Sequence, residues 1–240
     1  MSGVQSLMGI HDEHRKRLKA RFMRSGLRDF DEHTALELLL TYSIPRRDVN
    51  AVAHRLIDGF GGFGRVLEAD PKSLVEIEGV GENSAALIKL VFQSFVYYEQ
   101  SKYRRGFVAS STGAAIDYAR SLFVGETDEV VYALCLDSSL RLICARELSR
   151  GAVSEAAVSL RRIVEAATLN KAVCVILAHN HPGGYCVPSR DDLELTRVAM
   201  QALSLIGVSL SDHIIVGARS EISMADAGII SGIREKLGIE

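Results

Sequence analysis

Residues 172–192 read AVCVILAHNHPGGYCVPSRDD, and this stretch decides the fold of the second half of the chain. The apolar run 172–178 has the length of a strand and is rich in branched side chains, which suits a strand buried on both faces. His179 and His181 follow it directly, and residues i and i+2 of a strand share a face, so two imidazoles stand side by side. Pro182, Gly183 and Gly184 then turn the chain away. Pro188 and Ser189 open a helix, which puts Asp192 in its first turn.

Two imidazoles from a strand end and one carboxylate from a helix start supply three legs of a tetrahedron, with the fourth left for water, as a catalytic zinc requires. The helix N-terminus adds partial positive charge beside that place. Water on such a cation has its pKa lowered from about 15.7 to around 7. A plainer reading stands beside this one. Histidines are often ordinary satisfied polar groups, and Ser189-Arg190-Asp191-Asp192 has the spacing of a capping box. Taken alone, the residues leave both readings open. Other histidine-rich metal patterns fit worse: a dinuclear HxHxDH site needs Asp where Gly183 stands, and barrel hydrolases need more histidines than the seven present.

Working outward, Ser110 to Thr112 are expected to cap a helix reaching about residue 123. Segments 130–136 and 141–147 read as strands around the turn Asp137-Ser138-Ser139. Helices are expected over 158–169 and 191–206, a strand over 208–216, and mostly helix from 221 onward. Strands alternating with helices imply a sheet covered on both faces. The front of the chain is helical throughout: a charged helix over 11–23, a core helix over 34–42 (TALELLLTY), a further helix over 48–57, a GFGGFG turn, and two helices joined by Gly79-Val80-Gly81. The polar, basic stretch 101–109 (SKYRRGFVA) breaks the periodicity and reads as a linker between a helical domain, 1–100, and an α/β domain, 110–240.

At 240 residues, 48% hydrophobic and 24% charged, the composition is that of a globular protein of one or two domains. A formal net charge of -2 excludes any global attraction to nucleic acid or anionic membrane, so such binding would need local patches. The longest apolar runs are strand-sized, far from the roughly 20 residues of a membrane span. The N-terminus lacks the pattern of a secretory signal, so a cytoplasmic protein is expected. Cys135, Cys144, Cys174 and Cys186 form no CxxC pair and read as small buried hydrophobes.

HxH, seven residues, Ser, two residues, Asp is met by His179, His181, Ser189 and Asp192. This resembles the JAMM motif of JAB/MPN metalloproteases. The wider string AHNHPGG…PS…D, followed by DHIIVG, resembles the bacterial RadC family, the UPF0758 group of JAB-domain proteins, over nearly the whole chain. The resemblance implies an α/β (α+β) fold with a JAB/MPN-like (cytidine-deaminase-like) sheet flanked by helices, behind an all-helical front domain. It implies one zinc ion per chain held by His179, His181 and Asp192, with Ser189 steadying the oxyanion of a tetrahedral intermediate. A glutamate from an earlier strand should act as general base. Glu147, at a strand end in RELSRG, is the choice, with Glu155 and Glu165 as rivals. His213, after Asp212, is expected to support the site without ligating. Asn180 should hold the loop, and Cys186 should be a bystander. The family usually has serine where this chain has Gly183, a position that is not a ligand.

The segment IEGVGENSAALIK resembles a helix-hairpin-helix. Its G-V-G turn exposes backbone N–H groups where a phosphate can sit, and the glycines permit close approach. Glu76, Glu78 and Glu82 crowd the turn and oppose a phosphate backbone, whereas the basic run from Arg15 to Arg28 and Lys102, Arg104 and Arg105 favour one. Two functions compete: a zinc-dependent peptidase or isopeptidase acting on a peptide or protein, and a DNA repair or recombination factor that reaches DNA through the helical domain. No membrane partner is expected, and the oligomeric state is not encoded in any motif.

Overall fold

A computed structural model describes residues 2–45, 47–103, 106–151 and 158–239, with side chains from residue 13 onward. The chain divides into two compact units, Met1–Tyr97 and Tyr98–Glu240, the division falling within one helix. Among the described residues no helix is long and apolar enough to cross a membrane.

The first unit is helical: α1 (Ser2–Ser25), α2 (Glu32–Leu40), α3 (Asn50–Phe60), α4 (Phe63–Glu68), α5 (Pro71–Val75) and the greater part of α6 (Glu82–Ser101). Local chemistry sets the ends. Asp31 accepts the Thr34 N–H at 2.8 Å to cap α2, Asp70 and Pro71 start α5, and Gly61 ends α3 in the left-handed region. Leu36, Leu40, Val52, Leu56, Leu74 and Ile88 form the core. Glu37 is buried among them, its carboxylate met by His14 at 2.8 Å and by the Asn50 amide at 3.2 Å.

The second unit holds α7 (Thr112–Leu122), β1 (Val130–Leu136), β2 (Leu142–Arg150), α8 (Leu160–Leu169), β3 (Cys174–His181), α9 (Arg190–Ser204), β4 (Ser209–Gly217), β5 (Glu221–Ser223) and α10 (Ile229–Leu237). The sheet order is β2-β1-β3-β4-β5, with β3 and β4 parallel and every other neighbouring pair antiparallel. Val131, Ala133, Val175, Leu177 and Ile215 face α8, α9 and α10. Leu134, Leu136, Ile176, Ala178 and Ile214 face α7. Strand β3 is therefore sandwiched between two apolar layers, which is why residues 172–178 are apolar without alternation.

Boundaries differ from the sequence expectation in both units: α1 starts at Ser2 rather than residue 11, α4 begins within the GFGGFG stretch expected as a turn, and two more departures lie in the second unit. The β2 strand runs on to Arg150, and residues 221–223 form a strand where helix was expected. Pairing with Val216, Ile215 and Ile214 of β4 overrides local preference there, and helix begins only at Ile229.

Candidate metal centre

The last residues of β3 and the first turn of α9 meet at one end of the sheet. His179 Nε2 lies 2.9 Å from His181 Nε2 and 3.1 Å from Asp192 Oδ1, while His181 Nε2 lies 3.7 Å from Asp192 Oδ2. His179 and Asp192 are buried, and His181 is partly open to solvent. The structure thus brings the three sequence-selected side chains together.

The capping box at the start of α9 is also present, so the two readings of Asp192 describe one geometry. Ser189 Oγ accepts the Asp192 N–H at 3.1 Å, and Asp192 Oδ2 accepts from the Ser189 N–H and hydroxyl, both at 2.7 Å. Oδ2 closes the helix start, leaving Oδ1 aimed at His179. The His181 ring is oriented from behind: its Nδ1 lies 3.1 Å from the Tyr185 carbonyl, which only accepts. Nδ1 therefore carries the proton, and Nε2 presents a lone pair to the site.

A metal fits this donor set. Zinc takes imidazole nitrogen and carboxylate oxygen at about 2.0–2.2 Å in a tetrahedron, which spaces its donors roughly 3.3–3.6 Å apart. The separations from His179 Nε2, 2.9 Å to His181 Nε2 and 3.1 Å to Asp192 Oδ1, lie a little below that spacing. Without a cation, the lone pair on His181 and the carboxylate of Asp192 would face each other across a mostly buried gap.

Glu129 was not selected from the sequence, yet it stands at this site. Its Oε1 is 3.6 Å from His181 Nε2, and its carboxylate forms a group with His179 and His181 whose ligand atoms all lie within 4.8 Å of one another. Topology puts it there. Val131 pairs with His179 in the antiparallel β1–β3 ladder, so the residue two before Val131 comes level with the residue two after His179. Asn180, projecting opposite the two histidines, fixes the approach: its Oδ1 accepts the Val130 N–H at 2.7 Å and its Nδ2 donates to the Asp128 carbonyl at 2.9 Å. The backbone on either side of Glu129 is thereby clamped.

Glu147 is not brought to the imidazoles. A bulge between Val131 and Tyr132 pairs Glu147 with Tyr132, whereas His179 pairs with Val131, and neighbouring strand residues face opposite ways. The Glu147 carboxylate instead binds Arg150 at 2.8 Å and accepts from the Tyr132 hydroxyl at 3.4 Å. The Arg150 hydrogen bond holds it below its ordinary pKa, which makes it a weaker base still. Glu165 pairs with Arg161 on α8 at 2.7 Å, and Glu155 lies outside the described residues. The signal for Glu129 was an acid placed directly before the apolar run VVYALCL, but it carries meaning only once β1 is known to pair antiparallel with β3.

The remaining residues support this arrangement. Cys186 donates its thiol to the Ser220 carbonyl at 2.7 Å and fills the space where a Cβ on Gly217 would come within 2.7 Å of its sulfur. A Cβ at Gly183 meets nothing within 4 Å, so the serine usual at this place would fit too. His213 is fully buried and contacts His179 and Thr196. Burial, then the neighbouring His179 and His181, hold it well below the usual imidazole pKa against the pull of Asp192.

In the first unit, Gly79 has φ +93, and a Cβ there would meet Val52 Cγ2 at 2.8 Å, so packing alone demands this glycine. The cations near the turn hold carbonyls: Arg55 donates to Glu78 O at 2.9 and 3.1 Å, and Lys89 to Glu68 O at 3.2 Å.

Comparison with known proteins agrees with this picture. Residues 109–229 match the family model of the RadC-like JAB domain. A UPF0758 protein of Ruegeria pomeroyi is 35% identical over 91% of this chain and 97% of its own length. A UPF0758 protein of Rhodobacter capsulatus is 35% identical over 89% of this chain and 100% of its own. A third, from Fusobacterium nucleatum, is 33% identical over 90% and 97% respectively. With the sheet, its flanking helices and the match along nine-tenths of the length in agreement, the chain belongs to the UPF0758 family of RadC-like JAB-domain proteins.

Proposed function

We propose that the protein is a metallohydrolase of the JAMM type, acting on a peptide or isopeptide bond with one zinc ion held by His179, His181 and Asp192. One observation carries this reading: imidazole nitrogens and a carboxylate converge, 2.9 and 3.1 Å apart, at the partly open end of a buried strand, with a second carboxylate, Glu129, beside them. A zinc ion there supplies Lewis acidity and makes water acidic enough to lose a proton near neutral pH.

The chain's own residues do the rest. Glu129, next to His181 and partly exposed, takes the proton from the attacking water at a carboxylate oxygen and returns it to the leaving amine nitrogen. It replaces Glu147 in that role. Ser189 is placed to donate to the oxygen of the scissile carbonyl, once its hydroxyl turns its proton away from Asp192 Oδ2. The first turn of α9 adds its exposed N–H groups to the positive side of the site. Asn180 keeps Glu129 at its post through the backbone of residues 128 and 130.

Elemental analysis of the purified protein should find about one zinc per chain, and Asp192→Ala should lose it. A peptide-library digest should show cleavage that His179→Ala abolishes; cleavage surviving that change would exclude the mechanism. If a branched DNA were cut instead, and the cut were lost in the same variant, the site would be a phosphodiesterase.

A further inference from the structure

A file of hydrogen bonds runs behind the metal centre, from helix α9 back to strand β3. The Thr196 hydroxyl donates to the Asp192 backbone carbonyl at 2.6 Å. Thr196 Oγ1 is also 2.7 Å from His213 Nδ1, and His213 Nε2 is 2.8 Å from His179 Nδ1. Thr196, His213 and His179 are all fully buried.

The direction of each bond follows from its fixed end. A carbonyl has no proton, so the single hydroxyl proton of Thr196 goes to it. The 3.4 Å contact of the same hydroxyl with Met224 Sδ is a weaker alternative, a thioether being a poor acceptor. Thr196 Oγ1 must then accept, and His213 Nδ1 must donate. Among the described residues no carboxylate oxygen is bonded to the His213 ring, the Asp212 carboxylate meeting only its backbone N–H at 2.7 Å, so the buried ring is neutral and keeps only that one proton. Its Nε2 is bare and accepts from His179 Nδ1. The proton of His179 is thus held at Nδ1, and its Nε2 points a lone pair at His181 and Asp192.

We propose that His213, itself fixed by Thr196, is a positioning residue that locks His179 in the one tautomer able to bind a metal through Nε2. The inference rests on the reading of His179 as a ligand. His181 needs no such device, because the Tyr185 carbonyl sets its tautomer directly. His179 is too deep for a loop carbonyl, and the relay reaches it from α9 instead. The same helix carries Asp192, so one element sets both the carboxylate and the tautomer of the imidazole facing it.

The test separates this inference from the metal reading. In the zinc-free protein, histidine 15N spectra should place the His179 proton on Nδ1, and in Thr196→Val that preference should fall toward a mixture while Thr196→Ser keeps it. In chelator competition with zinc alone, His213→Leu should weaken binding by about 10–100-fold. His213→Gln, which returns an acceptor for the Nδ1 proton, should recover most of the loss. Thermal unfolding of each variant identifies any that fail to fold, and the Thr196 pair then carries the test. A wild-type protein that binds no zinc would end the metal reading. A His179 proton found on Nε2, or zinc affinity unchanged in both His213→Leu and Thr196→Val, would overturn the relay.

Discussion

At the scale of single residues, two carboxylates that look alike in sequence part company in the fold. Glu129 directly precedes β1 and Glu147 lies within β2, yet one stands at the imidazoles and the other is bound by Arg150. Glu129→Gln should lower kcat by about 10²–10⁴-fold, the usual worth of a positioned general base, while leaving the zinc content unchanged. Glu147→Gln should stay within about threefold of wild type, since surface ion pairs contribute little. Equal losses in the two variants would remove Glu129 from its role. Asn180 is polar and buried because two backbone groups depend on it. Asn180→Ala leaves the Val130 N–H without its partner and should cost about 1–3 kcal/mol in urea unfolding, with a further fall in kcat as Glu129 loosens.

At the scale of elements, close approach decides which glycines matter. Gly217, level with His181 in the β3–β4 ladder, gives Cys186 Sγ its space. Gly217→Ala should cost about 1–3 kcal/mol through overpacking. In combination with Cys186→Ala the cost should shrink, and a double-mutant cycle by chemical denaturation reads that coupling. Strict additivity would show that the sulfur is not the obstacle. In the helical unit the two hairpin glycines differ in the same way. Gly79→Ala meets Val52 and keeps a strained φ, whereas Gly81→Ala has open space around it and should leave the melting temperature within about 2 °C. Any test of the hairpin as a DNA contact therefore belongs at Gly81, because a change at Gly79 damages the packing first.

At the scale of the whole molecule, binding at the end of β3 should stabilise one unit selectively. Free zinc at a hundred times its Kd adds about 2.7 kcal/mol to the folded state. In a chain of this size that is a rise of about 5–10 °C in the transition of the unit that binds it. Hydrogen exchange should show added protection in β1, β3 and α9 and none in α2 to α5. Asp192→Ala should abolish the gain. Protection spread evenly over both units, or a shift that persists in Asp192→Ala, would place the zinc elsewhere.

Within residues 172–192 the chain encodes its own outcome, because everything there is local. An apolar run makes a strand, proline and two glycines turn it, and Ser189 with Asp192 caps the next helix within four residues. Two imidazoles at i and i+2 then share a face whatever the rest of the chain does. The covered sheet was legible for the same reason, since apolarity on both faces of a strand leaves no other environment. The place of Glu129 was not legible, nor was the relay through Thr196 and His213, nor the strand at 221–223. Each depends on which strands become neighbours and in which direction, and pairing is a long-range choice that local patterns leave undetermined. The antiparallel β1–β3 ladder brings residues 129 and 181 level, and the parallel β3–β4 ladder puts residue 213 behind residue 179. Local sequence determined that two imidazoles and a carboxylate meet at one end of the sheet; tertiary pairing decided that Glu129 and His213 join them there.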